Sequence, residues 1–139
     1  MAEIPKSLFN NWWLHLDVLI EKAVHEDNPL APFGKGEAER SEQNDVFTAH
    51  CLQFDIVTEG NTIAETEEMI ADAIFEYITF ALENELMKFL FKPAPPEYWQ
   101  KLLYGHCKKR LKLNSQYNLP LAAEIAFIEV EPDEQKTEI

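Results

Sequence analysis

The sequence predicts an α+β fold in the order β-β-β-α-α-β. Two stretches before residue 60 alternate apolar and polar side chains, as half-buried strands do. A long stretch after residue 62 repeats its apolar residues at helical spacing, and residues 122–130 are again strand-like. We therefore expect an antiparallel three-stranded core sheet with both helices packed on one face.

The first strand is expected within residues 12–24, where apolar residues alternate with polar ones. Its apolar side comprises Trp12, Leu14, Leu16, Val18 and Ile20. A polar stretch rich in proline and glycine follows and predicts a mobile loop at about 28–45. Residues 46–52 are expected to form the second strand, and residues 56–59 a short third strand after a turn.

The corner after the third strand carries clear local signals. Gly60 is expected to end the strand with a positive φ, which glycine adopts at little cost. Thr62 is expected to be the N-cap of the first helix, and Glu65 three residues later completes a capping box. We place the end of this helix within residues 84–90.

Prolines at 93, 95 and 96 interrupt the chain after the first helix. Pro96 suits the first position of a second helix, which we expect to reach about Leu111. Lys108, Lys109 and Arg110 would then lie at the C-terminal end of that helix, where cations suit its dipole. Contact of these cations with RNA or DNA is the less favoured alternative, because the net charge is −13. The last strand covers residues 122–130, and the acidic tail 131–139 is expected to fray.

The bulk composition narrows the function classes. A length of 139 residues predicts a single domain, 1–139. The net charge of −13 opposes non-specific nucleic-acid binding and suits a basic partner. Two cysteines make no disulfide framework, and no signal peptide or membrane span is visible, so we expect a cytoplasmic protein without membrane contact.

The run FTAHCLQFDIVTEGNTIAETEEMIADAIFEYI, residues 47–78, resembles the HicB-like antitoxin family. The matching positions are Gly60, Asn61, Thr62, Glu65, Glu68 and Ala73. The resemblance implies a partial RNase H-like fold and a dimer or tetramer. It also implies binding to a small basic toxin of double-stranded-RNA-binding-domain type, whose ribonuclease action is blocked.

The chain departs from the family pattern in three places. The Trp12-Trp13 pair precedes the first strand, and an unusually long loop follows that strand. The Pro-Gly turn that members carry before the short strand is replaced by Phe54-Asp55-Ile56-Val57. Residues 97–139 do not resemble the C-terminal DNA-binding segment of many members, so DNA binding is not expected. Two hypotheses are favoured: an antitoxin that neutralises a basic ribonuclease, or an orphan HicB-fold homo-oligomer with a scaffold or ligand-binding role. Neither of these involves catalysis or a cofactor. A third hypothesis, a vestigial nuclease or nucleic-acid binder, is opposed by the net charge of −13.

Two groups of residues are candidates for protein contacts. Glu65, Glu67 and Glu68 form either a surface for a basic partner or a simple complement to the helix dipole. The second group surrounds the proline break and forms either an interface or a lid over the core. Its members are Phe89, Leu90, Phe91, Tyr98 and Trp99.

Catalytic and metal-binding alternatives are weaker. Asp17 and Asp55 would have to converge with further carboxylates to hold Mg²⁺, and a solvated strand face explains Asp17 equally. The pairs His50-Cys51 and His106-Cys107 suggest zinc, but adjacent residues point in different directions and neither pair chelates alone. We therefore expect no catalytic residue, no metal and no cofactor.

Overall fold

The computed structural model describes residues 13–23 and 45–130. It has the predicted α+β class, with a five-stranded mixed sheet instead of three antiparallel strands. The strands are β1 Trp13–Lys22, β2 Phe47–Cys51, β3 Ile56–Gly60, β4 Gly105–Lys112 and β5 Ala122–Val130. Their order across the sheet is β3-β2-β1-β5-β4, with β1 and β5 parallel and all other neighbours antiparallel. Trp12, the predicted loop up to residue 44 and the tail 131–139 lie outside the described residues.

One long helix and several short turns complete the fold. Helix α1 spans Ile63–Glu83, α2 spans Pro96–Gln100 and α3 spans Leu113–Gln116. Single 3-10 turns occupy Met87–Phe89 and Lys101–Tyr104. The second predicted helix is therefore correct at its Pro96 start and wrong at its end, because β4 begins at Gly105.

The basic cluster consequently lies on a strand and not at a helix end. Lys109 pairs with Phe127 and Arg110 with Ala126 across the antiparallel ladder of β4 and β5. Gly105, the first residue of β4, allows β4 to approach β5 closely, because a Cβ at this position would lie 2.4 Å from Cγ2 of Ile128. Tertiary pairing has thus overridden the local helical preference of residues 105–111.

Both faces of the sheet are covered, which corrects the prediction of helices on one face. Helix α1 packs on the first face, where Ile70, Ile74 and Ile78 meet the β-strand core. On the second face, a separate cluster of Leu19, Leu52, Ala94, Ala126 and Ile128 is covered by partly buried Tyr98, Trp99 and Leu102. The covering segment is fixed to the β2–β3 turn because the Ala94 amide donates to the Leu52 carbonyl at 2.9 Å.

The corner between β3 and α1 is held by close packing. Gly60 has no positive φ, contrary to the prediction. A Cβ at Gly60 would lie 2.6 Å from Oγ1 of Thr66, so the helix can approach the strand only over a glycine. Thr62 is the N-cap and accepts from the Glu65 amide at 3.0 Å, while Glu65 Oε1 accepts from the amide of Asn61 at 2.9 Å. The carboxylate thus caps the residue before the N-cap.

Candidate protein-binding site

Helix α1 presents a line of carboxylates to solvent, with one turn between Glu76 and Glu83 that carries none. The helix contains six acidic residues and no Lys or Arg. Five of them, all exposed, follow one another at steps of three, four or seven residues and so share one side of the helix. We call them the acidic stripe: Glu65, Glu68, Asp72, Glu76 and Glu83. The stripe is about 27 Å long at the rise of an α-helix.

The acidic stripe disfavours the helix that carries it. Like charges four residues apart, such as Asp72 and Glu76, destabilise a helix by a few tenths of a kcal/mol. Glu65 lies in the first turn, where the helix dipole favours an anion. Glu83 is the last residue of the helix, where an anion is unfavourable, and the last turn holds no basic residue. Dipole complementarity therefore accounts for the start of the stripe and not for Glu76 or Glu83.

The three predicted acidic residues have different surroundings. Glu65 and Glu68 are both exposed, and the Glu65 carboxylate accepts the capping hydrogen bond from the Asn61 amide. Glu67 faces β4 and pairs with Lys109, with 3.0 Å between Oε1 and Nζ. Asp72, Glu76 and Glu83 were not among the predicted site residues. Their signal in the sequence is the repeated acidic spacing without intervening cations.

A shallow groove separates α1 from β4. It encloses about 210 Å³ and is lined by Glu67, Glu68, Lys109, Tyr117 and Phe127 among others. Tyr117 stacks on Phe75 with ring centroids 4.5 Å apart, and its hydroxyl donates a hydrogen bond to Asp72. Burial and the Asp72 carboxylate together raise the pKa of Tyr117 to about 12. Asp72 is thus held in place within the acidic stripe.

An exposed apolar surface lies near the stripe. We call it the apolar flank: Met69, Phe80, Phe89 and Phe91, which are 40%, 58%, 59% and 53% exposed. Met69 and Phe80 are eleven residues apart on α1, which places them on the same side of the helix. Phe91 contacts the buried ring of Phe54 at a centroid distance of 5.7 Å, so its exposed ring is supported by the core.

The five residues of the predicted aromatic interface do not share one surface. Phe89 and Phe91 are exposed, whereas Leu90 is 1% exposed and belongs to the core. Tyr98 and Trp99 are half-buried against the second-face cluster, and Nε1 of Trp99 donates to the Ala94 carbonyl at 2.9 Å. Leu90 is therefore not available to a partner, and Tyr98 and Trp99 mainly cover the sheet.

The carboxylates of the catalytic alternative have separate partners. Asp17 accepts a hydrogen bond from Nε2 of Gln53 at 2.9 Å and contacts His15 at 3.1 Å. Asp55 contacts Nε2 of His50 at 2.7 Å. Across residues 13–23 and 45–130, no group of three or more His, Cys, Asp or Glu side chains is arranged to hold a metal ion.

The two His-Cys pairs both lie on strands. Cys51 is buried in the first-face core, where burial raises the pKa of its thiol to about 12. His50 points to the second face and packs its ring edge-to-face with Tyr98 at 4.7 Å. His106 and Cys107 are adjacent exposed residues of β4. Strand geometry sends the members of each pair to opposite faces, so neither pair chelates a metal by itself.

Comparison of the chain with protein-family models, curated protein sequences and solved structures finds no match. Among the described residues, no helix has the length and apolar character needed to cross a membrane.

Proposed function

We propose that this chain is a non-enzymatic protein-binding module that neutralises a small basic ribonuclease, as its resemblance to HicB-like antitoxins implies. The acidic stripe supports the proposal, because Glu76 and Glu83 disfavour the free helix and neither pairs with a cation within the residues that the structure describes. A basic partner laid along α1 would compensate these charges.

The local chain order also supports the proposal. Strands β1, β2 and β3 form an antiparallel meander, α1 follows through the Gly60–Thr62 corner, and β5 returns parallel to β1. We propose on this basis that the domain has the partial RNase H-like fold of the family. The additional edge strand β4 is a feature of this chain.

The acidic stripe on α1 is too small to form a stable interface with a partner by itself. A stripe about 27 Å long on a helix about 10 Å wide offers about 270 Å², whereas a stable interface buries about 800 Å² per partner. Met69 and Phe80 of the apolar flank lie beside the stripe on α1, and we propose that the partner also reaches the exposed rings of Phe89 and Phe91 in the segment after the helix. We propose that charge speeds the approach of the partner and that the rings supply the water-free centre of the contact.

The experiment is a tagged pull-down from the native host, repeated with two variants of equal charge. In the first, Glu76→Gln and Glu83→Gln remove two charges of the stripe. In the matched control, Glu59→Gln and Glu97→Gln remove two exposed charges elsewhere. We expect the native chain to recover a stoichiometric small basic protein, and the stripe variant to associate with it about tenfold more slowly at low salt. Recovery of the chain alone, or an equal loss in both variants, would contradict the proposal.

The apolar flank supports a second candidate, an orphan HicB-fold homo-oligomer with a scaffold or ligand-binding role. Three exposed aromatic side chains at and after the C-terminal end of α1, Phe80, Phe89 and Phe91, suit self-association as a dimer or tetramer. Sedimentation of the native chain and of Phe91→Ala separates the candidates. A defined oligomer that dissociates in Phe91→Ala without unfolding, together with a pull-down free of basic protein, would favour this second candidate.

A further inference from the structure

Strand β4 is an open and strongly basic edge of an otherwise acidic protein. It is the last strand of the sheet, so one side of its backbone has no neighbouring strand among the described residues. Residues 106–110 are all exposed. Four of the twelve Lys and Arg residues of the chain lie within 108–112, although the net charge is −13.

Most of these cations have no side-chain partner among the described residues. Lys109 pairs with Glu67, and its ammonium lies 5.8 Å from the ring centroid of Phe127. Lys108, Arg110 and Lys112 form no side-chain ion pair or hydrogen bond within the part of the chain that the structure describes. Lys112 lies opposite Glu124 in the ladder, yet no ion pair joins them.

Lysines on an edge strand also protect a sheet against aggregation, which is an alternative function of the charge on β4. A β-bulge between Cys107 and Lys109 already disturbs the first half of the edge, so that half is protected without additional charge. The regular half, Lys109–Lys112, carries Arg110 and Lys112 in addition to Lys109. Of the three cations without a partner among the described residues, Lys108 lies at the bulge, and Arg110 and Lys112 lie where the strand remains suited to pairing.

We propose that the regular half of β4 binds an acidic, extended segment of a partner protein, which adds to the sheet as a further strand. Backbone hydrogen bonds would supply the pairing, and the positive side chains would select an acidic sequence. The inference does not depend on the proposed ribonuclease partner, because that partner is basic and is assigned to α1.

The register defines the sequence that fits. Arg110 and Lys112 lie opposite Ala126 and Glu124, on the second face, and are two residues apart. Leu111 points to the first face and packs against its core. A partner strand with acidic residues at every second position would place carboxylates beside both cations. Its intervening residue would lie beside Leu111, so we expect the pattern acidic–apolar–acidic.

A nucleic-acid strand is the less favoured occupant. Its binding energy comes mainly from neutralised phosphates, and three unpaired cations face a net charge of −13. An extended acidic peptide gains backbone pairing as well, which a nucleic acid cannot provide.

The test uses the full chain and a fluorescent peptide, Thr-Glu-Val-Glu-Val-Glu-Thr, with a control peptide in which every Glu is Gln. The test variant carries Arg110→Glu and Lys112→Glu, and the matched control carries the exposed changes Lys88→Glu and Lys92→Glu. We expect the acidic peptide to bind the native chain at least tenfold more tightly than the Gln peptide does. The test variant should lose at least tenfold in affinity, and the control variant less than twofold.

Amide chemical-shift changes in the native chain provide a readout that needs no variant. They should centre on residues 109–112 of β4. Shifts elsewhere, equal losses in both variants, or tighter binding of an oligothymidylate that the test variant also loses would overturn the proposal. Self-association that buries β4 and excludes the peptide would overturn it as well.

Discussion

Glu67 of α1 and Lys109 of β4 form an ion pair with 3.0 Å between Oε1 and Nζ. Of the six acidic residues in α1, Glu67 is the one that meets a cation within residues 13–23 and 45–130. Its side chain is 12% exposed and that of Lys109 is 56% exposed. The pair bridges the groove between the acidic stripe and the basic edge strand, so it marks where two surfaces of opposite charge meet.

Removal of Lys109 should reduce stability modestly. Lys109→Gln leaves Glu67 largely buried without its cation, while the half-exposed lysine limits the loss to about 1 kcal/mol or less. Urea unfolding at low and high salt measures this effect, which should shrink with salt. Lys108→Gln, at the bulge beside it, is the matched control and should leave the free energy of unfolding unchanged. Equal losses in the two variants would show that the pair contributes nothing specific.

Gly60→Ala should destabilise the corner between β3 and α1. The new Cβ would lie 2.6 Å from Oγ1 of Thr66 and 3.2 Å from its Cα, so the helix must shift away from the strand. Overpacking of this kind costs about 1–3 kcal/mol. Thr66→Ala removes the hydroxyl but not the backbone contact. Gly60→Ala should therefore cost less in the Thr66→Ala background, as a double-mutant cycle of urea unfolding would measure. Strict additivity of the two changes would refute the contact.

The sequence predicts α1 well because its signals are local. The N-cap at Thr62 and the apolar repeat through Ile70, Ile74 and Ile78 both act within one helix. Strands β1 and β2 were also predicted, because apolar and polar residues alternate along most of β1 and β2, although Leu19 and His50 are buried on the second face. A side that is buried along the length of an element gives the sequence the period of that element.

Strand β4 was not predicted because most of its residues are exposed, with only Gly105 and Leu111 partly buried. Its residues GHCKKRLK contain no alternation, and its stability comes from pairing with the buried β5. The positions of the aromatic residues 89–99 were also not predictable from the sequence. A proline break shows that the helix ends, but it does not show which face of the sheet the following residues cover. Leu90 returns to the first-face core, whereas Tyr98 and Trp99 cover the second face. Of the acidic stripe, only Glu65 and Glu68 were predicted from the sequence. They lie near the N-terminus of the helix, where the helix dipole favours anions, whereas the later carboxylates have no such local signal.

Tyr117 should make stability fall at high pH. Its pKa rises from 10.0 to about 12 in the folded chain, through burial and then the hydrogen bond to Asp72. The folded state favours the neutral phenol, so its contribution is complete below pH 10.0 and is lost as the pH rises towards about 12. The difference in free energy of unfolding between the native chain and Tyr117→Phe should therefore shrink over this interval. Tyr77, whose pKa burial also raises, is present in both proteins and cancels in the comparison.

Cys51 and Cys107 should differ sharply in reactivity. Cys107 is exposed, whereas Cys51 is buried and its pKa is raised to about 12 by burial. Only the thiolate is nucleophilic, so an alkylating reagent at neutral pH should modify one thiol in the folded chain and both in urea. Mass spectrometry of the digested protein identifies the modified residue. Cys107→Ser should abolish labelling of the folded chain, and labelling that persists in this variant would show that Cys51 is accessible.

Reversing the charge at the end of the acidic stripe should stabilise the free chain. Glu83→Lys places a cation at the C-terminus of α1, where the dipole favours it, and should raise the free energy of unfolding by about 0.3–1 kcal/mol at low salt. Glu97→Lys is the matched control of opposite sign, because Glu97 lies in the first turn of α2.

The same Glu83→Lys change should weaken binding of the proposed basic partner, so stability and binding should move in opposite directions. Thermal unfolding of the free chain and the association rate with the co-purified partner together measure this exchange. Such opposite changes would be a trade-off between stability and function, in which a charge that lowers the stability of its own helix serves binding. Glu83→Lys that destabilises the free chain, or that leaves association unchanged, would remove the basis for assigning the acidic stripe to partner binding.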